Sequence, residues 1–245
     1  MPHRAFTIEE VAEYLHISLA DVERLVQRDE IPHRTRGGRT LFQRGEIDAW
    51  ASQRIIGMPD KRLDAYHARS TAGAREVFQH DALMPELLQP GYIDLALPSK
   101  TKASVIRDMV ALAAKTGRVF DPREFLTSVQ KREELCPTAM PGGLALLHAR
   151  EHQPFRFEGS FLVIGRTVQA VPFSAPDGRP TQLFFLICCE DERIHLHTLA
   201  RLCLLVLKTD VVNQLFATED PAVAFEAVIA AEKAVLPEPG ASTSG

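Results

Sequence analysis

Two helix-start signals close together near the N-terminus constrain the fold most strongly. Thr7 with Glu10 forms a capping box, and Ser18 with Asp21 repeats the signal. Apolar residues follow each cap at helical spacing, so each helix is expected to bury one face. Only His16 and Ile17 separate the two predicted helices. The pattern therefore predicts a tight pair of helices that cross sharply.

A short hairpin and a third helix are predicted next. Pro32 ends the second helix, and Gly37-Gly38 has the composition of a two-residue hairpin turn. The segment RGEIDAW then opens a helix whose Ile47 and Trp50 can pack back on the first two. Helix, turn, helix, hairpin and helix over residues 1–54 is the layout of a small winged helix-turn-helix.

The order of residues in this segment adds a family resemblance. FTIEEVAEYLHISLADVERLVQRDEIPHRTRGGRTLFQRGEIDAW resembles the excisionase and MerR-type DNA-binding domain in its T-x-E-E-V-A-x-Y-L start, its serine cap, and its IP, GGR and F-x-x-x-x-I-D-x-W elements. Asp29 stands where that family usually has glycine. Aspartate tolerates the left-handed backbone that this position is expected to need, so the fold is expected to survive the exchange.

The resemblance implies DNA binding, with the second helix in the major groove and the hairpin along phosphates. The side chains suited to base edges are Arg24, Gln27 and Arg28. The arginines suited to phosphate contacts are Arg34, Arg36, Arg39 and Arg44. Asp21 and Glu23 on the second helix repel phosphate, so one copy should bind weakly and depend on a homodimer. The alternative is a solvated hairpin in a protein-interaction module.

Residues 55–88 are expected to form a partly helical connector. Gly57, Pro59 and the sequence STAG break the periodicity, and the charges are mixed. Such a connector could place the two flanking domains independently or support a dimer contact. His67 and His80 are expected to be exposed connector residues, not ligands.

The remaining chain predicts a layered α/β domain over residues 89–236, with a central mixed sheet flanked by helices. A helix with apolar residues at 105, 106, 109, 110, 112 and 113 ends at Gly117, and a second begins at the cap Asp121 with Pro122. Strand-like runs follow at 144–147, 161–164, 170–173 and 183–188. Two further helices come last, and residues 237–245 have the composition of a disordered tail. The fold class of the whole chain is therefore α plus α/β.

One histidine stands out because it ends a buried strand. In GGLALLHAREH, the apolar run 144–147 leads into His148, which should be held rigidly while its ring meets solvent. An α/β domain places reactive groups at such strand ends. The plainer interpretation is an edge histidine with satisfied hydrogen bonds.

The surroundings of His148 resemble a known site. REELCPTAMPGGLALLHAR is similar to the active-site segment of the phosphotransferase-system enzyme IIA domain of the mannitol/fructose and nitrogen-regulatory type, which runs R-E, a spacer, then T-G-I-G-x-G-I-A-L-P-H-x-R. The similarity extends over about residues 90–236, including the later HLHTLARL segment. Three positions depart from the family: Ala139 and Pro141 replace glycines of the turn, and Leu147 replaces the proline before the histidine.

The resemblance assigns roles to residues of this chain. His148 falls on the histidine that receives the phosphoryl group, and His195 falls on the second histidine of the site, which would donate to phosphate or hold the tautomer of the first ring. Arg132 would offset the charge of the phosphoryl group. Backbone N–H groups at Gly142 and Gly143 would face its oxygens, with Arg150 at the rim.

Composition narrows the classes of partner and compartment. The net charge of −4 gives no overall attraction to nucleic acid or to an anionic membrane, so basic surface must be local. No apolar run approaches the about 18 residues of a membrane span. Four cysteines without CxxC spacing suit reduced thiols in a cytoplasmic protein. Cys188, Cys189, His195 and His197 point in different directions, so neither a metal nor a cofactor is expected.

Together the two halves predict a cytoplasmic DNA-binding regulator that carries a phosphohistidine and is not a multiple-turnover enzyme. Its partners would be DNA and the histidine phosphocarrier protein, which would couple nutrient status to transcription. One alternative is a phosphoryl relay that serves a sugar uptake system. The other is a degenerate enzyme IIA-like domain that acts only as a sensor or interaction module.

Overall fold

The computed structural model describes residues 5–74, 82–150, 155–190 and 192–236. It contains an N-terminal helical unit with a small hairpin, followed by a mixed five-stranded sheet covered by helices on both faces. Among the described residues, no helix is both long and apolar enough to cross a membrane.

The N-terminal unit forms as its capping residues predict. Helices α1 (Ile8–Tyr14) and α2 (Leu19–Gln27) begin at Thr7 and Ser18, whose side chains accept from the backbone N–H of the third residue of each helix. Strands β1 (Arg34–Arg36) and β2 (Arg39–Leu41) pair antiparallel across Gly37-Gly38, both in the left-handed region that the turn requires. Asp29 has φ 54°, which confirms the left-handed backbone expected there. Helix α3 (Arg44–Ile56) packs Ile47 into the core, and Trp50 Nε1 donates to the carbonyl of Glu30.

The connector is largely helical, and it packs on the second domain. Helix α4 (Asp60–Ala74) buries Leu63, Tyr66 and Ser70, and short α5 (Met84–Leu87) follows residues 75–81, which lie outside the described part. The expectation that His67 is exposed is wrong: its ring is buried, and its Nε2 accepts from Arg201 at 2.7 Å. A connector that leaves the two domains independent is therefore not what the structure has. His80 lies among the residues outside the described part.

The second domain alternates helices and strands around the sheet. After a 3₁₀ turn at Pro90–Tyr92 come β3 (Ile93–Leu97), α6 (Lys102–Lys115), α7 (Pro122–Leu135), β4 (Ala139–Met140), β5 (Leu144–His148), β6 (Phe161–Val171) and β7 (Thr181–Cys188). Helices α8 (Glu192–Lys208), α9 (Val211–Ala217) and α10 (Pro221–Val235) complete it. The strand order is β3-β6-β7-β5-β4, with β3 parallel to β6, β5 parallel to β7, and the other neighbours antiparallel. The mixed sheet flanked by helices confirms the predicted fold class.

The strand predictions need two amendments. The run at 170–173 is not a separate strand, since β6 continues to Val171 and the chain leaves the sheet there. The edge strands β3 and β4 were not predicted. Strand β4 has only two residues, too few to show an alternating pattern.

Successive side chains of the central strands point to opposite faces of the sheet, so the buried residues form two separate clusters, one on each face. On β5, Leu144 and Leu146 face the side of α8 and α10, and Ala145 and Leu147 face the side of α6 and α7. The cluster on the α8 side also contains core residues of α1–α4, so the N-terminal unit and this face of the sheet share one continuous apolar core. The thiols of Cys188, Cys189 and Cys203 are buried, Cys136 is half-buried, and none of the four forms a disulfide bond within the described ranges.

Candidate functional site

His148 is the last residue of β5, where α7, α8 and the sheet meet. Its Nε2 lies 2.9 Å from Arg132 Nε, and its Nδ1 lies 2.9 Å from the carbonyl oxygen of Leu146. A guanidinium nitrogen only donates, so Nε2 must be the acceptor. The proton therefore resides on Nδ1, which donates to Leu146. The lone pair that could act as a nucleophile is on Nε2, facing Arg132.

Arg132 brings a positive charge to this nitrogen from the last turn of α7. Its Nη1 donates to the carbonyl of Cys136 at 2.8 Å, while its Nη2 is buried and has no hydrogen-bond partner among the described residues. Burial lowers the pKa of this arginine, and the nearby carboxylates of Glu133 and Asp48 act in the opposite direction. A buried guanidinium with an unused donor is suited to take up an anionic oxygen beside Nε2.

The loop after α7 is held by the residue next to Arg132. The carboxylate of buried Glu133 accepts from the backbone N–H of Thr138 at 3.1 Å and from its hydroxyl at 2.6 Å. Lys102 Nζ on α6 lies 2.7 Å from the same carboxylate. These contacts fix residues 136–138, and thereby the Cys136 carbonyl that orients Arg132. Sequence reasoning gave Glu133 and Thr138 no role, although both stand in the segment quoted for the family resemblance.

The structure places His195 beside His148. It is in the first turn of α8, and the two ring centroids are 4.7 Å apart with the planes tilted by 43°. The tautomer of His148 is set by the Leu146 carbonyl, so His195 is not needed for that part of its expected role. Its own Nε2 lies 3.4 Å from Ser52 Oγ on α3.

The expectation that the ring of His148 meets solvent is wrong. His148 is 1% exposed and His195 is 0% exposed. The reason is visible in the contact to Ser52: helix α3 of the N-terminal unit lies over this end of the second domain. Asp48, one turn earlier on α3, is also buried, and its carboxylate accepts from Tyr14 at 3.0 Å. Sequence reasoning missed both residues, because two polar side chains at helical spacing look like a solvated face.

The structure does not bring Gly142 and Gly143 to His148. They precede β5, and the strand from Leu144 to His148 spans about 13 Å, so these glycines lie at its opposite end. The N–H of Gly142 donates to Asp177 at 3.0 Å, and the carbonyl of Gly143 accepts from the start of β7. Their assignment to phosphate binding is therefore corrected. Arg150 follows the strand two residues after His148, with its backbone N–H bonded to Ser128 on α7.

A second buried polar cluster joins α4 to the same helix α8. The rings of His67 and His197 stack with centroids 4.8 Å apart, and His197 Nδ1 is 2.8 Å from Ser70 Oγ. Arg201 donates to His67 and, at 2.6 Å, to Glu232 on α10. Burial lowers the pKa of both histidines to about 3, so the rings are neutral at physiological pH. Burial also raises the pKa of Glu232, against the effect of the Arg201 charge.

The predicted DNA-contacting side chains are exposed on α2, on the hairpin and at the start of α3. Several are paired: Arg24 with Asp21, Arg28 with Glu30 at 4.0 Å, and Arg34 with Glu46 at 2.9 Å. Arg44 lies over the ring of Phe6, and Gln27 is exposed. Arg36 and Arg39 face each other across the hairpin turn and form no ion pair within the described part of the chain.

The site chemistry is that of a neutral nucleophilic imidazole beside a buried cation. Nowhere in the described ranges do three or more histidine, cysteine or acidic side chains gather to hold a metal ion. The arrangement can accept an electrophilic group on Nε2 and stabilise negative charge next to it.

Comparison with known protein families matches two segments. Residues 86–230 match the family described as phosphoenolpyruvate-dependent sugar phosphotransferase system, EIIA 2. Residues 5–55 match a helix-turn-helix domain family. Both resemblances drawn from the sequence are thereby confirmed.

Curated relatives match the second domain. The chain is 29% identical over 136 residues to the fructose-specific EIIABC component of the PTS of Bacillus subtilis, covering 55% of this chain and 21% of that protein. It is 29% identical over 143 residues to the nitrogen regulatory protein of Bradyrhizobium diazoefficiens, covering 57% of this chain and 87% of that protein.

Solved structures show the same fold for this domain. Nitrogen regulatory protein IIA-Ntr from Neisseria meningitidis superposes with a TM-score of 0.53 at 21% identity, covering 58% of this chain and 97% of that one. IIA mannitol from Escherichia coli gives a TM-score of 0.51 at 22% identity, with 58% and 98% coverage.

Proposed function

Because the chain belongs to the EIIA 2 family of the phosphoenolpyruvate-dependent sugar phosphotransferase system and has a helix-turn-helix domain ahead of it, we propose that it is a DNA-binding regulator phosphorylated on His148. The phosphoryl donor is the histidine phosphocarrier protein of the system, and the phosphorylation state reports nutrient supply to the DNA-binding unit. The observation that carries the proposal is the Nε2 of His148, held as an acceptor against a buried arginine.

The transfer needs only groups that the site contains. The Nε2 lone pair forms a bond to phosphorus while the bond from phosphorus to the carrier's nitrogen breaks, and the carrier's nitrogen keeps that electron pair. The proton stays on Nδ1 and remains hydrogen-bonded to the Leu146 carbonyl oxygen, which supports the positive charge that develops on the ring. Arg132 shifts its donors from Nε2 to the phosphoryl oxygens, for which its Nη2 is already available. The role of His195 is to pack against the ring and donate to an oxygen.

Three replaced positions bear on how fast this happens. Leu147 is fully buried on the α6–α7 side of the sheet, and Ala139 lies in β4, so neither touches Nε2. Pro141 lies beyond the far end of β5. The replacements leave the nucleophile and Arg132 in place, but a displacement of about 1 Å in the supporting strand can cost on the order of a hundredfold in rate. Transfer is therefore expected to be slower than in a typical family member.

The test is to incubate the chain with phosphoenolpyruvate, enzyme I and the carrier protein, followed by intact-mass spectrometry. The expected result is one added phosphoryl group, labile in acid and stable in base, located on residue 148. His148→Gln keeps an acceptor for Arg132 and should gain nothing. His195→Gln is the matched control, which should react slowly yet keep the label on His148. A wild-type chain that gains no phosphoryl group under these conditions would refute the proposal and favour a domain that senses a partner without transfer.

DNA binding by α2 and the β1–β2 hairpin forms the other half of the proposal. The exposed guanidiniums of Arg36 and Arg39 support it, since their charges are not balanced by a described carboxylate. The acids that pair Arg24, Arg28 and Arg34 reduce the charge available to phosphates, so binding by two copies together is expected.

A further inference from the structure

The second domain is closed on one side by the chain's own N-terminal unit. Helices α3 and α4 both pack on α8, the helix that carries His195. Ser52 is 0% exposed and Asp48 is 2% exposed, which means that this face of α3 is an internal surface. The enzyme IIA family match begins at residue 86, and the matched IIA structures are covered almost completely by 58% of this chain, so helices α3 and α4 lie outside the matched domain.

We propose that the helix-turn-helix unit is a cover for the phosphoacceptor site, so that docking of α3 on α8 and transfer of a phosphoryl group to His148 exclude each other. The inference rests on the proposed function, because it needs His148 to be the acceptor. It goes further by naming what controls access to that acceptor: the DNA-binding unit itself occupies the surface through which the carrier must approach.

The first argument is steric. The carrier must bring phosphorus into line with Nε2, yet His148 is 1% exposed and its Nε2 is in contact with Arg132. One face of the ring lies against His195, and the Nε2 of His195 in turn lies 3.4 Å from Ser52. A protein donor cannot reach a nitrogen in this position unless a covering element moves. Helix α3 is such an element, and it belongs to a different structural unit from the acceptor.

The second argument is electrostatic. The Asp48 carboxylate is buried on α3, and its charge raises the pKa of Arg132 against the effect of burial, so this acid acts electrostatically on the acceptor site. A phosphoryl group on His148 adds about two negative charges and takes over the donors of Arg132. Asp48 would then face a like charge in a dry environment. Phosphorylation therefore disfavours the docked α3, and by linkage an undocked α3 favours phosphorylation.

The third argument is that contacts which do not involve His148 stabilise the docked state. Arg201 on α8 donates to His67 on α4, His197 contacts Ser70, and Lys208 pairs with Asp64 at the exposed edge. These contacts lie further along α8 than His195. These contacts make the docked arrangement the ground state of the unmodified chain. Helix α3 must therefore leave α8 before His148 can accept a phosphoryl group.

A reversible crosslink between α4 and α8 of the full chain tests whether the helix-turn-helix unit must undock before His148 is phosphorylated. The pair Asp64→Cys and Lys208→Cys replaces the exposed ion pair between α4 and α8, and a short disulfide-forming bifunctional reagent can bridge the two thiols. The matched control is Asp64→Cys alone, treated with the same reagent, which modifies Cys136 and residue 64 without a bridge. Phosphorylation is followed by intact mass with the complete relay, before and after a reductant removes the bridge.

The bridged chain should be phosphorylated at least tenfold more slowly than the treated single variant, and the reductant should restore the rate. Equal rates in the bridged and control chains would overturn the proposal that the helix-turn-helix unit covers the site, while leaving the proposed function intact. No phosphorylation in the bridged, released and wild-type chains would overturn the proposed function and the cover with it.

Hydrogen exchange on the unaltered chain gives a second reading that needs no variant. Amides of α3 and α4 should exchange faster in the phosphorylated protein than in the unmodified protein, while those of α6 and α7 should change little. Unchanged exchange in α3 and α4 at full phosphorylation would contradict mutual exclusion.

Discussion

The stacked pair His67 and His197 makes the stability of this protein depend on pH in a calculable way. Burial lowers the pKa of each ring from 6.5 to about 3, and the charges of Arg201 and Lys208 act in the same direction on His67. In the unfolded chain both rings return to their ordinary pKa. Between these values the unfolded state binds more protons than the folded state, so the free energy of unfolding falls as the pH is lowered.

The magnitude follows from the shifts. Lowering the pH from 7 to 5 reduces the free energy of unfolding by about 2 kcal/mol for each ring. The two rings together reduce it by about 4 kcal/mol. This is a large share of the about 5–15 kcal/mol by which a domain is normally stable. Glu232, which faces the pair through Arg201, acts in the opposite direction because burial raises its pKa, but it is present in every chain compared here.

The assay is urea unfolding at pH 7 and pH 5 for the wild type and for His67→Gln and His197→Asn. Each replacement keeps a polar atom for its partner, Arg201 for residue 67 and Ser70 for residue 197, and removes one titrating group. The loss of unfolding free energy between the two pH values should shrink by about 2 kcal/mol in each variant. A variant with the same loss as the wild type would show that its histidine is already protonated or exposed, and would refute the described network.

Three further predictions concern other parts of the chain. Replacing Arg36 and Arg39 together by alanine should weaken DNA binding across sequences and reduce the slope of log K against log salt by about 1.8, since each phosphate contact contributes about 0.9. The control is Arg107→Ala at an exposed position of α6, which should leave the slope unchanged. An unaltered slope in the double variant would mean that the hairpin does not contact phosphate. Gly165→Ala should destabilise the second domain by about 1–3 kcal/mol in urea unfolding, because the added methyl group would overlap the Met109 and Leu97 side chains; a stable variant would show that α6 can move away. Glu133→Gln should slow phosphorylation of His148 without preventing it, because it loosens the loop that orients Arg132, and a rate equal to that of wild type would remove Glu133 from the site's support.

Much of the local structure could be predicted because its causes lie within a few residues. Thr7 and Ser18 start their helices through side-chain bonds to residues three positions ahead, and Gly37-Gly38 forms the hairpin turn because both residues adopt positive φ. The left-handed Asp29 followed from its place in a family pattern. The joint position of His148, Arg132 and His195 also came from a resemblance, and no periodicity in the chain would have given it.

The wrong predictions share a different cause: they depend on contacts, or on separations in space, that cannot be judged from neighbouring residues in the sequence. Gly142 and Gly143 are close to His148 in sequence, but an extended strand places them at its other end. Asp48, Ser52 and His67 look like solvated positions on their own helices. All three are buried, and Ser52 and His67 contact His195 and Arg201 of α8, a helix that begins well over a hundred residues later in the chain. Short-range patterns carry no information about such a contact.

The continuous core shared by α1–α4 and one face of the sheet bears on how readily this protein's parts can be exchanged. A different helix-turn-helix unit grafted in place of the first 74 residues would have to match α8 with an apolar surface and with partners for His197 and Arg201, which are both buried against α4 in this chain. A cut between the domains would leave a guanidinium and an imidazole on a newly bared hydrophobic face. The two domains are therefore not interchangeable, and we expect a substitution on the inward side of α4 to be tolerated only with a compensating substitution on the facing side of α8.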